Sequence, residues 1–322
     1  MNHSLYPKIH IRSKNELAKH ISYKSFPQRE ALNLINDCLE NFDLYWRDNE
    51  CAASDPGNGK YVRHAFHPNL EKLLDLVNAR VLAPHDNEVP GFVFGGLQSR
   101  SHVSAAHNLL GKKRRRSLVR IDLKGFFEQI EVDRVKKFFI LSGCSVRVAK
   151  ILSRVCCIPR GPKGSTSTPV VARGFAPSSR LVVWCSLNIF MKVEKRVRQD
   201  LCGHDPRIAI FVDDIGITAS RVSLEKLQVM ASRVKDILRN YDEAQPLKVN
   251  EDKSGKVFTH VEGMEFVGLE LRRNALGLGK RAKGRLASKK RKRQKDIAQT
   301  GKSNLTKSVK SMERYKRFVE SR

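Results

Sequence analysis

In two places an apolar segment of this chain leads into aspartate, and these two motifs constrain the fold more than any other feature. IDLKGFF occupies residues 121–127, and IFVDDIGI occupies residues 210–217 with Asp213 and Asp214 adjacent. Alternate side chains of a strand point to opposite faces, so adjacent carboxylates face the same way only at a tight hairpin turn. The second segment therefore predicts a strand, an acidic turn and a second strand.

Asp122, at the end of the first segment, is the natural third member of a carboxylate cluster. Carboxylates held close together repel and raise each other's pKa unless a cation lies between them. Three such ligands suit two Mg²⁺ ions about 3.5–4 Å apart, with Mn²⁺ as a substitute, and this arrangement serves in-line phosphoryl transfer. The chemistry predicted is nucleotidyl transfer. Each motif alone also has a structural explanation, because Asp-Asp is common in turns and a single Asp often begins a helix.

The charge of the chain indicates a polyanionic partner. Its 322 residues include 61 Lys and Arg against 33 Asp and Glu, a net charge of +28, which favours nucleic acid. A hydrophobic content of 40% is enough to bury a core and excludes a disordered protein.

No apolar run approaches the roughly 20 residues needed to span a bilayer, and the first residues lack an apolar signal core. We therefore expect a cytoplasmic protein with no membrane partner. The seven scattered cysteines predict reduced thiols.

The order of the predicted elements is typical of an α+β fold. Helical spacing at 16–43 is followed by the strand LVRIDL, two helices, a long helix, the acidic hairpin, an amphipathic helix and the apolar hairpin GMEFVGLEL. Helices packed on an antiparallel sheet are the architecture of polymerase fingers and palm, with an RRM-like palm sheet. The run KKRRR at 112–116 predicts an electropositive wall beside that sheet, or else a solvated loop.

The C-terminal residues differ in character from the rest of the chain. About half of residues 272–295 are Lys or Arg, which is too polar for a core, and the last twenty residues have helical spacing. We interpret 272–322 as a small, basic, helical thumb that binds nucleic acid. The predicted domains are then an N-terminal helical region at 1–59, fingers and palm at 60–271, and the thumb at 272–322.

Over roughly residues 60–271 the chain resembles bacterial reverse transcriptases of the retron and defence-associated type, which are distant relatives of group II intron enzymes. IDLKGFF resembles their first metal motif, and IFVDDI lies where most members have Tyr-Ala-Asp-Asp. GFVFGGLQS, ARGFAPSSRL and LKVNEDKSGKVF resemble three further family elements, the last written Leu-x-x-Asn-x-x-Lys-Ser. The resemblance implies an RNA-directed DNA polymerase that extends a 3′-hydroxyl with dNTPs.

The resemblance also implies the residues of the reaction centre. Asp122, Asp213, Asp214 and the backbone of Leu123 would bind two Mg²⁺ ions. Lys253 matches the residue that would protonate the leaving pyrophosphate, although an exposed lysine after a helix explains it as well.

Four other residues are expected to contact substrate or template. Phe127 occupies the position of the family's steric gate, where a ring excludes a ribose 2′-hydroxyl, or else it is a core aromatic residue. Gly174 and Ser178 belong to a loop whose backbone would approach the template and the nascent base pair. Arg63 is expected to contact the triphosphate.

The resemblance implies a structured non-coding RNA as template, a DNA product, a partner protein encoded nearby and a role in anti-phage defence. It leaves a homo-oligomer open. Two other functions fit the same residues: a template-independent or protein-primed nucleotidyl transferase, and a catalytically idle scaffold that binds RNA. The three aspartates argue against the scaffold, because a binding protein does not need clustered acids in a basic groove.

Overall fold

The computed structural model describes residues 5–51, 53–112, 115–240, 242, 246–300 and 302–321. The helices in this part of the chain are α1 (Lys14–Ile21), α2 (Gln28–Glu40), α3 (Pro68–Leu76), α4 (His102–Asn108), α5 (Val132–Leu141), α6 (Val146–Cys156), α7 (Ser178–Asp200), α8 (Leu224–Asn240), α9 (Lys280–Thr300) and α10 (Thr306–Glu320). The strands are β1 (Trp46–Asn49), β2 (Val62–Ala65), β3 (Arg116–Asp122), β4 (Cys157–Pro159), β5 (Pro169–Val171), β6 (Arg207–Phe211), β7 (Asp214–Ser220), β8 (Val257–Thr259), β9 (Met264–Phe266), β10 (Leu269–Leu271) and β11 (Leu276–Leu278).

The strands pair in small antiparallel sheets, so the predicted mixture of helices and antiparallel sheet is confirmed. All seven cysteines are free, and five of them are buried, as predicted for reduced thiols. None of the described helices is long and apolar enough to cross a membrane.

The chain divides into two compact units whose segments alternate along the sequence. Unit 1 takes its described residues from Met1–Ser99, Leu123–Val193 and Asp236–Val249, and unit 2 from Arg100–Asp122, Glu194–Lys235 and Asn250–Arg322. The predicted division at 1–59, 60–271 and 272–322 is a division by function, and it stays a prediction.

Unit 1 is mainly helical, and its core contains large aromatic side chains. Trp184 on α7 packs against Phe138 on α5 with ring centroids 6.0 Å apart. The ring centroids of Phe126 and Phe190 lie 6.1 Å apart, and all four rings are almost completely buried. The burial of rings of this size is a main source of packing energy in a unit whose described residues form two-stranded sheets. The two helices predicted after the strand LVRIDL are confirmed as α5 and α6.

Unit 2 is built on a four-stranded antiparallel sheet with the order β6-β7-β3-β8. The two central strands, β3 and β7, are buried along most of their length. Gly216 in β7 is packed closely on one face. A Cβ there would lie 2.7 Å from a methyl carbon of Leu109 and 2.8 Å from the ring of Phe266. The central strand therefore has no room for a side chain at this position.

The C-terminal part of unit 2 is folded, in spite of its polar composition. β9, β10 and β11 form a three-stranded sheet, and α9 packs against α10 through a small apolar cluster of Leu278, Leu286 and Val309. Lys290 and Glu313 form an ion pair of 2.6 Å between the two helices. The predicted C-terminal helix is confirmed as α10, and the basic segment before it forms most of α9.

Candidate active site

The adjacent aspartates lie at a tight hairpin between β6 and β7, as predicted. Phe211, the last residue of β6, pairs with Asp214, the first residue of β7, which leaves Val212 and Asp213 as the loop. Val212 has a φ of 57°, in the left-handed region that β-branched residues rarely adopt. Strained backbone of this kind persists where the surrounding structure enforces it, and it is concentrated at functional sites.

Asp122 and Asp214 lie directly opposite each other at the end of the central strand pair. Directly opposed residues of antiparallel strands have their side chains on the same face, with Cβ atoms about 4.5–5.5 Å apart. Both side chains are half-buried. The tertiary structure therefore brings the two acidic motifs together, and the catalytic and metal-binding roles of these residues stay predictions.

The segment after α8 holds Asp122 in place. The side-chain amide of Asn250 donates to Oδ2 of Asp122 at 2.8 Å, and the backbone N–H of Asn250 donates to the carbonyl oxygen of Asp122 at 2.8 Å. The backbone N–H of Asp122 donates to Oγ of Ser254, also at 2.8 Å. Sequence reasoning matched Asn250 and Ser254 to a family element but missed this positioning role. The spacing Asn-x-x-Lys-Ser was the signal that could have revealed it.

Asp214 is electrostatically strained in the folded protein. Burial, reinforced by the neighbouring charges of Asp213 and Asp122, raises the pKa of Asp214 to about 6 from an ordinary value of 3.8. Arg120 and Lys253 oppose this shift. Lys253 itself is exposed, on the turn that follows Asn250. Asp122, Asp213, Asp214 and Lys253 thus form one interacting group.

The donor chemistry of this group fits a divalent cation. Carboxylate oxygens are hard ligands. Burial is the main cause of the raised pKa of Asp214, and the repulsion from Asp213 and Asp122 that adds to it is what a bound cation would relieve. In the conformation described, no three or more Asp, Glu, His or Cys side chains among the described residues are gathered closely enough to hold a metal ion. Asn250 already engages one carboxylate oxygen of Asp122. Leu123 follows Asp122 directly, and its predicted contribution of a backbone ligand stays a prediction.

The other predicted residues, Phe127, Arg63, Gly174 and Ser178, belong to unit 1 and are described within it. Phe127 is buried, with 8% of its surface exposed, and the guanidinium of Arg173 lies 4.6 Å from the centre of its ring. Arg173 is held in turn by two hydrogen bonds of 2.9 Å to the carboxylate of Glu128. Phe126 is also buried. A steric-gate role for Phe127 stays a prediction, and the ring under a clamped arginine has the rigidity that such a role requires.

Arg63 is a buried residue rather than an exposed basic one. Only 3% of its surface is exposed, and its guanidinium forms an ion pair with Asp48 and donates to the carbonyl oxygen of Gly161. It also lies 5.3 Å from the ring of Trp46. Burial lowers the pKa of Arg63 to about 10. The predicted contact with a triphosphate would require the side chain to leave these partners, so the contacts present are structural.

Gly174 and Ser178 fix the loop before α7. Gly174 has a φ of 104°, and a Cβ at this position would lie 2.4 Å from the backbone oxygen of Arg63. Ser178 is buried and donates from Oγ to the carbonyl oxygen of Ala172 at 2.6 Å. The space that the glycine leaves is therefore filled by the protein's own backbone at β2. The predicted approach of this loop to a template stays a prediction.

Gly174→Ala is expected to destabilise the protein by about 2 kcal/mol more than Gly164→Ala. Both glycines have a positive φ, so both substitutions introduce a left-handed alanine, but a Cβ at Gly164 has no neighbour within 4 Å. The extra loss comes from the overlap with the backbone of Arg63, which cannot shift as a flexible side chain could. Urea unfolding of the two variants measures the difference. Equal losses would show that the contact between the loop and β2 is not tight.

The predicted electropositive wall at 112–116 is wrong for Arg116. That side chain is 5% exposed, and it pairs with Asp205 at 2.7 Å and donates to Thr218. The physical reason is its position as the first residue of a central strand, where an arginine must be buried and paired. Lys112 and Arg115 are exposed, and Lys113 and Arg114 lie outside the described residues.

Comparison with protein families decides the class of enzyme. The family described as reverse transcriptase (RNA-dependent DNA polymerase) matches residues 58–271, which is more than half of the chain. The chain belongs to this family. The predicted class is confirmed: this reverse transcriptase is an RNA-directed DNA polymerase and hence a nucleotidyltransferase. A comparison with curated proteins finds no match.

Membership of the reverse transcriptase family establishes the general partners of the enzyme. Its substrates are an RNA template and dNTPs, and its product is DNA. Reverse transcriptases generally use divalent metal ions such as Mg²⁺. The match contains both acidic motifs and the segment from Asn250 to Ser254, so the geometry described above lies within the family's domain.

Proposed function

We propose that this reverse transcriptase copies a structured non-coding RNA into DNA, with Asp122, Asp213 and Asp214 as the centre of a two-magnesium polymerase site. The observation that carries the proposal is the direct opposition of Asp122 and Asp214 on β3 and β7, together with the raised pKa of Asp214. Like charges are costly to hold together. An enzyme that binds divalent cations recovers this cost when the cations bind.

Asp122 and Asp213, with the backbone of Leu123, would hold the metal ions, and Asp214 would complete or tune the site. Bound Mg²⁺ would supply charge neutralisation and a lowered pKa for the attacking 3′-hydroxyl. Asn250 and Ser254 orient Asp122 through the hydrogen bonds described above. Lys253, exposed beside the carboxylates, would give a proton to the departing pyrophosphate.

Phe127 would select dNTPs by excluding the 2′-hydroxyl of a ribonucleotide. Support for this role comes from the fixed surroundings of the ring, which is buried and covered by Arg173. Gly174 and Ser178 would present the backbone of their loop to the template and the nascent pair, and Arg63 would meet the triphosphate only after rearrangement. These three assignments rest on the family motif rather than on contacts with a ligand.

The division into functional domains follows from this assignment. Residues 1–59 would form an N-terminal helical region, 60–271 the fingers and an RRM-like palm, and 272–322 a thumb that binds the duplex backbone. The sequence of α9 supports the last point, because Lys and Arg form about half of it and Asp296 is its one acidic residue. A helix with this charge is suited to phosphate contacts that do not depend on base sequence.

The biological setting that we propose is bacterial anti-phage defence, in the retron or defence-associated branch of the family. Its support is the resemblance of the family motifs given above. It carries with it a cytoplasmic location, a dedicated RNA and a partner protein encoded nearby, and it leaves a homo-oligomer open.

Primer extension on defined templates tests the proposed chemistry. Purified protein with Mg²⁺ is expected to extend a DNA or RNA primer on an RNA template with dNTPs, and to use rNTPs poorly. Asp213→Asn is expected to abolish extension, whereas Asp133→Asn, which removes an exposed acid of unit 1, is expected to leave it intact.

The same assay separates the two other functions. Incorporation without an added template would replace the proposal with a template-independent transferase. A product that stays linked to the protein when the protein is denatured without protease would replace it with a protein-primed transferase. RNA binding without incorporation under any of these conditions, with or without proteins from the native locus, would favour the scaffold. Sequencing the RNA that copurifies with the protein would identify the template.

A further inference from the structure

A basic cavity lies in unit 2 at the end of the sheet opposite to the aspartates. It has a volume of about 550 Å³, and six cationic or titratable side chains line it, namely Arg115, Arg116, Arg221, His260, Arg272 and Arg273. This volume lies within the range of about 300–1,000 Å³ that is common for ligand sites. Arg116 and Asp122 are the two ends of the seven-residue strand β3, so about 20 Å of strand separates the cavity from the carboxylates.

The strand register explains why these cations converge. Arg116 pairs with Ser220 in the last pair of β3 and β7, so Arg115 and Arg221 are the next residues beyond it. The backbone N–H of Arg221 donates to the carbonyl oxygen of Arg115 at 3.2 Å. Both residues have a φ of 55°, in the left-handed region. Non-glycine residues rarely adopt this conformation, and here two of them lie next to each other across the end of the strand pair. Strain of this kind is concentrated at functional sites.

Three of the arginines are available to a ligand. The side chains of Arg115, Arg221 and Arg273 are exposed, and they make no hydrogen bond or ion pair with any other residue among those that the structure describes. Three cations gathered at one cavity repel each other, which disfavours the arrangement without an anionic ligand.

The acidic side chains of the same region are already engaged. Asp205 pairs with Arg116, Glu270 pairs with Arg272 at 2.8 Å, and Glu262 accepts hydrogen bonds from Thr259. They therefore do not neutralise Arg115, Arg221 and Arg273. A guanidinium group is well suited to bind phosphate through two parallel hydrogen bonds.

The floor of the cavity is apolar. Leu110, Met264 and Leu271 are buried and line it beneath the arginines. An inorganic phosphate needs only cations and donors, whereas an apolar floor beside cations fits a ligand with a flat apolar part and a phosphate. Aliphatic carbons and a methionine thioether are favourable surfaces for a nucleobase, as they are for other aromatic rings.

We propose that this cavity is a second RNA-binding site, which takes one nucleotide of a single-stranded segment with its phosphates on the arginines and its base on the apolar floor. Its position, about 20 Å along β3 from the aspartates, makes it a site for anchoring RNA rather than for chemistry. RNA is the favoured occupant over a phosphorylated peptide because the chain belongs to a family that acts on RNA and because the apolar floor suits a base.

Fluorescence anisotropy with a fluorescein-labelled, unstructured 12-nucleotide RNA tests the site in the full chain without Mg²⁺. The double variant Arg221→Ala plus Arg273→Ala is expected to bind about tenfold more weakly than the wild type. The slope of log affinity against log salt is expected to fall by about 1.4, since each lost phosphate contact to a single strand removes about 0.7. The control variant Arg29→Ala plus Arg147→Ala removes the same charge from exposed positions of unit 1. It is expected to change neither the RNA affinity nor the salt slope beyond twofold.

Equal losses in the two double variants would overturn the proposal, because they would reduce the effect to net charge. A labelled phosphoserine peptide that binds the wild type but not the cavity variant, with RNA affinity unchanged, would overturn it in favour of a protein partner. A third arm locates the site: 4-thiouridine in the same RNA is expected to cross-link to a peptide that contains Met264 or Leu271, and cross-links found only elsewhere would exclude the cavity.

The proposal does not depend on the metal mechanism. RNA affinity without Mg²⁺ is measured apart from DNA synthesis, so loss of extension in Asp213→Asn does not alter its test. Circular dichroism melting of each double variant checks that the substitutions, which are all at exposed positions, leave the fold intact.

Discussion

Asp214→Asn is expected to abolish DNA synthesis and, in the same molecule, to stabilise the folded protein. Loss of a carboxylate opposite Asp122 removes charge from the proposed metal site, and a loss of about a thousandfold in the rate of extension corresponds to about 4 kcal/mol of transition-state stabilisation. Single-turnover primer extension at saturating dNTP measures it. A variant that kept a tenth or more of the activity would show that Asp214 is not part of the reaction centre.

The expected gain in stability follows from the sign of the pKa shift. Asp214 has a pKa of about 6 in the folded protein and an ordinary value of 3.8, so the folded state binds the proton more tightly than the unfolded state. The ionised group therefore destabilises the wild type above pH 6, and this penalty disappears as the pH falls toward 4. The neutral amide removes it, so the variant is expected to be more stable by about 2 kcal/mol at pH 8, with the difference vanishing near pH 4.

Urea unfolding at pH 8 and at pH 4.5, without divalent ions, checks the pH dependence. Asp252→Asn, an exposed neighbour, serves as control and is expected to show no such gain. Added Mg²⁺ is expected to stabilise the wild type at pH 8 and to have less effect on Asp214→Asn, since binding to the folded state alone adds to stability. A variant less stable than the wild type at pH 8 would contradict the electrostatic interpretation.

Asp86→Ala is expected to cost unit 1 about 3–5 kcal/mol of stability. Asp86 and Arg180 are both buried, and the carboxylate accepts hydrogen bonds of 2.7 and 2.8 Å from the guanidinium. Oδ2 of Asp86 also accepts from the backbone N–H of Gln98 at 2.6 Å. Removal of the carboxylate leaves a buried cation without its counter-ion at the start of α7, beside the loop that contains Gly174 and Ser178.

Two companion variants make this prediction specific. Asp43→Ala breaks an ion pair with Arg154 whose side chains are 67% and 42% exposed, and it is expected to cost at most about 1 kcal/mol. Asp86→Leu combined with Arg180→Met is expected to recover much of the loss, because a buried pair can be replaced by apolar side chains of similar volume. Chemical denaturation monitored by tryptophan fluorescence measures all three. Similar losses of stability in Asp86→Ala and Asp43→Ala would show that burial does not strengthen the pair of Asp86 and Arg180.

The elements of the candidate site were predictable because each has a local signature. Apolar strands that lead into Asp122 and Asp213, and the helices that follow them, are visible in the period of the hydrophobic residues. The turn at Asp213 follows from the alternation of side chains along a strand. Local signatures do not identify partners, however. The pairing of Asp122 with Asn250 joins segments more than a hundred residues apart, and the spacing Asn-x-x-Lys-Ser does not identify the residue that Asn250 contacts.

Basic residues show the limit of sequence reasoning most clearly. The net charge of +28 and the basic sequence of α9 follow from the sequence alone, and so does a nucleic-acid partner. Which arginines are exposed was decided by packing. Arg63 and Arg116 are buried against Asp48 and Asp205, whereas Arg221 and Arg273 meet at a cavity.

The sequence by itself determined the class of enzyme, the strand and helix order and the position of the acidic turn, because these depend on the chemistry and spacing of near neighbours. Only the tertiary structure decided the raised pKa of Asp214, the filled space at Gly174, the buried pair of Asp86 and Arg180, and the basic cavity. Each of these depends on burial and on charges brought together from distant segments, and neither quantity exists until the chain has folded.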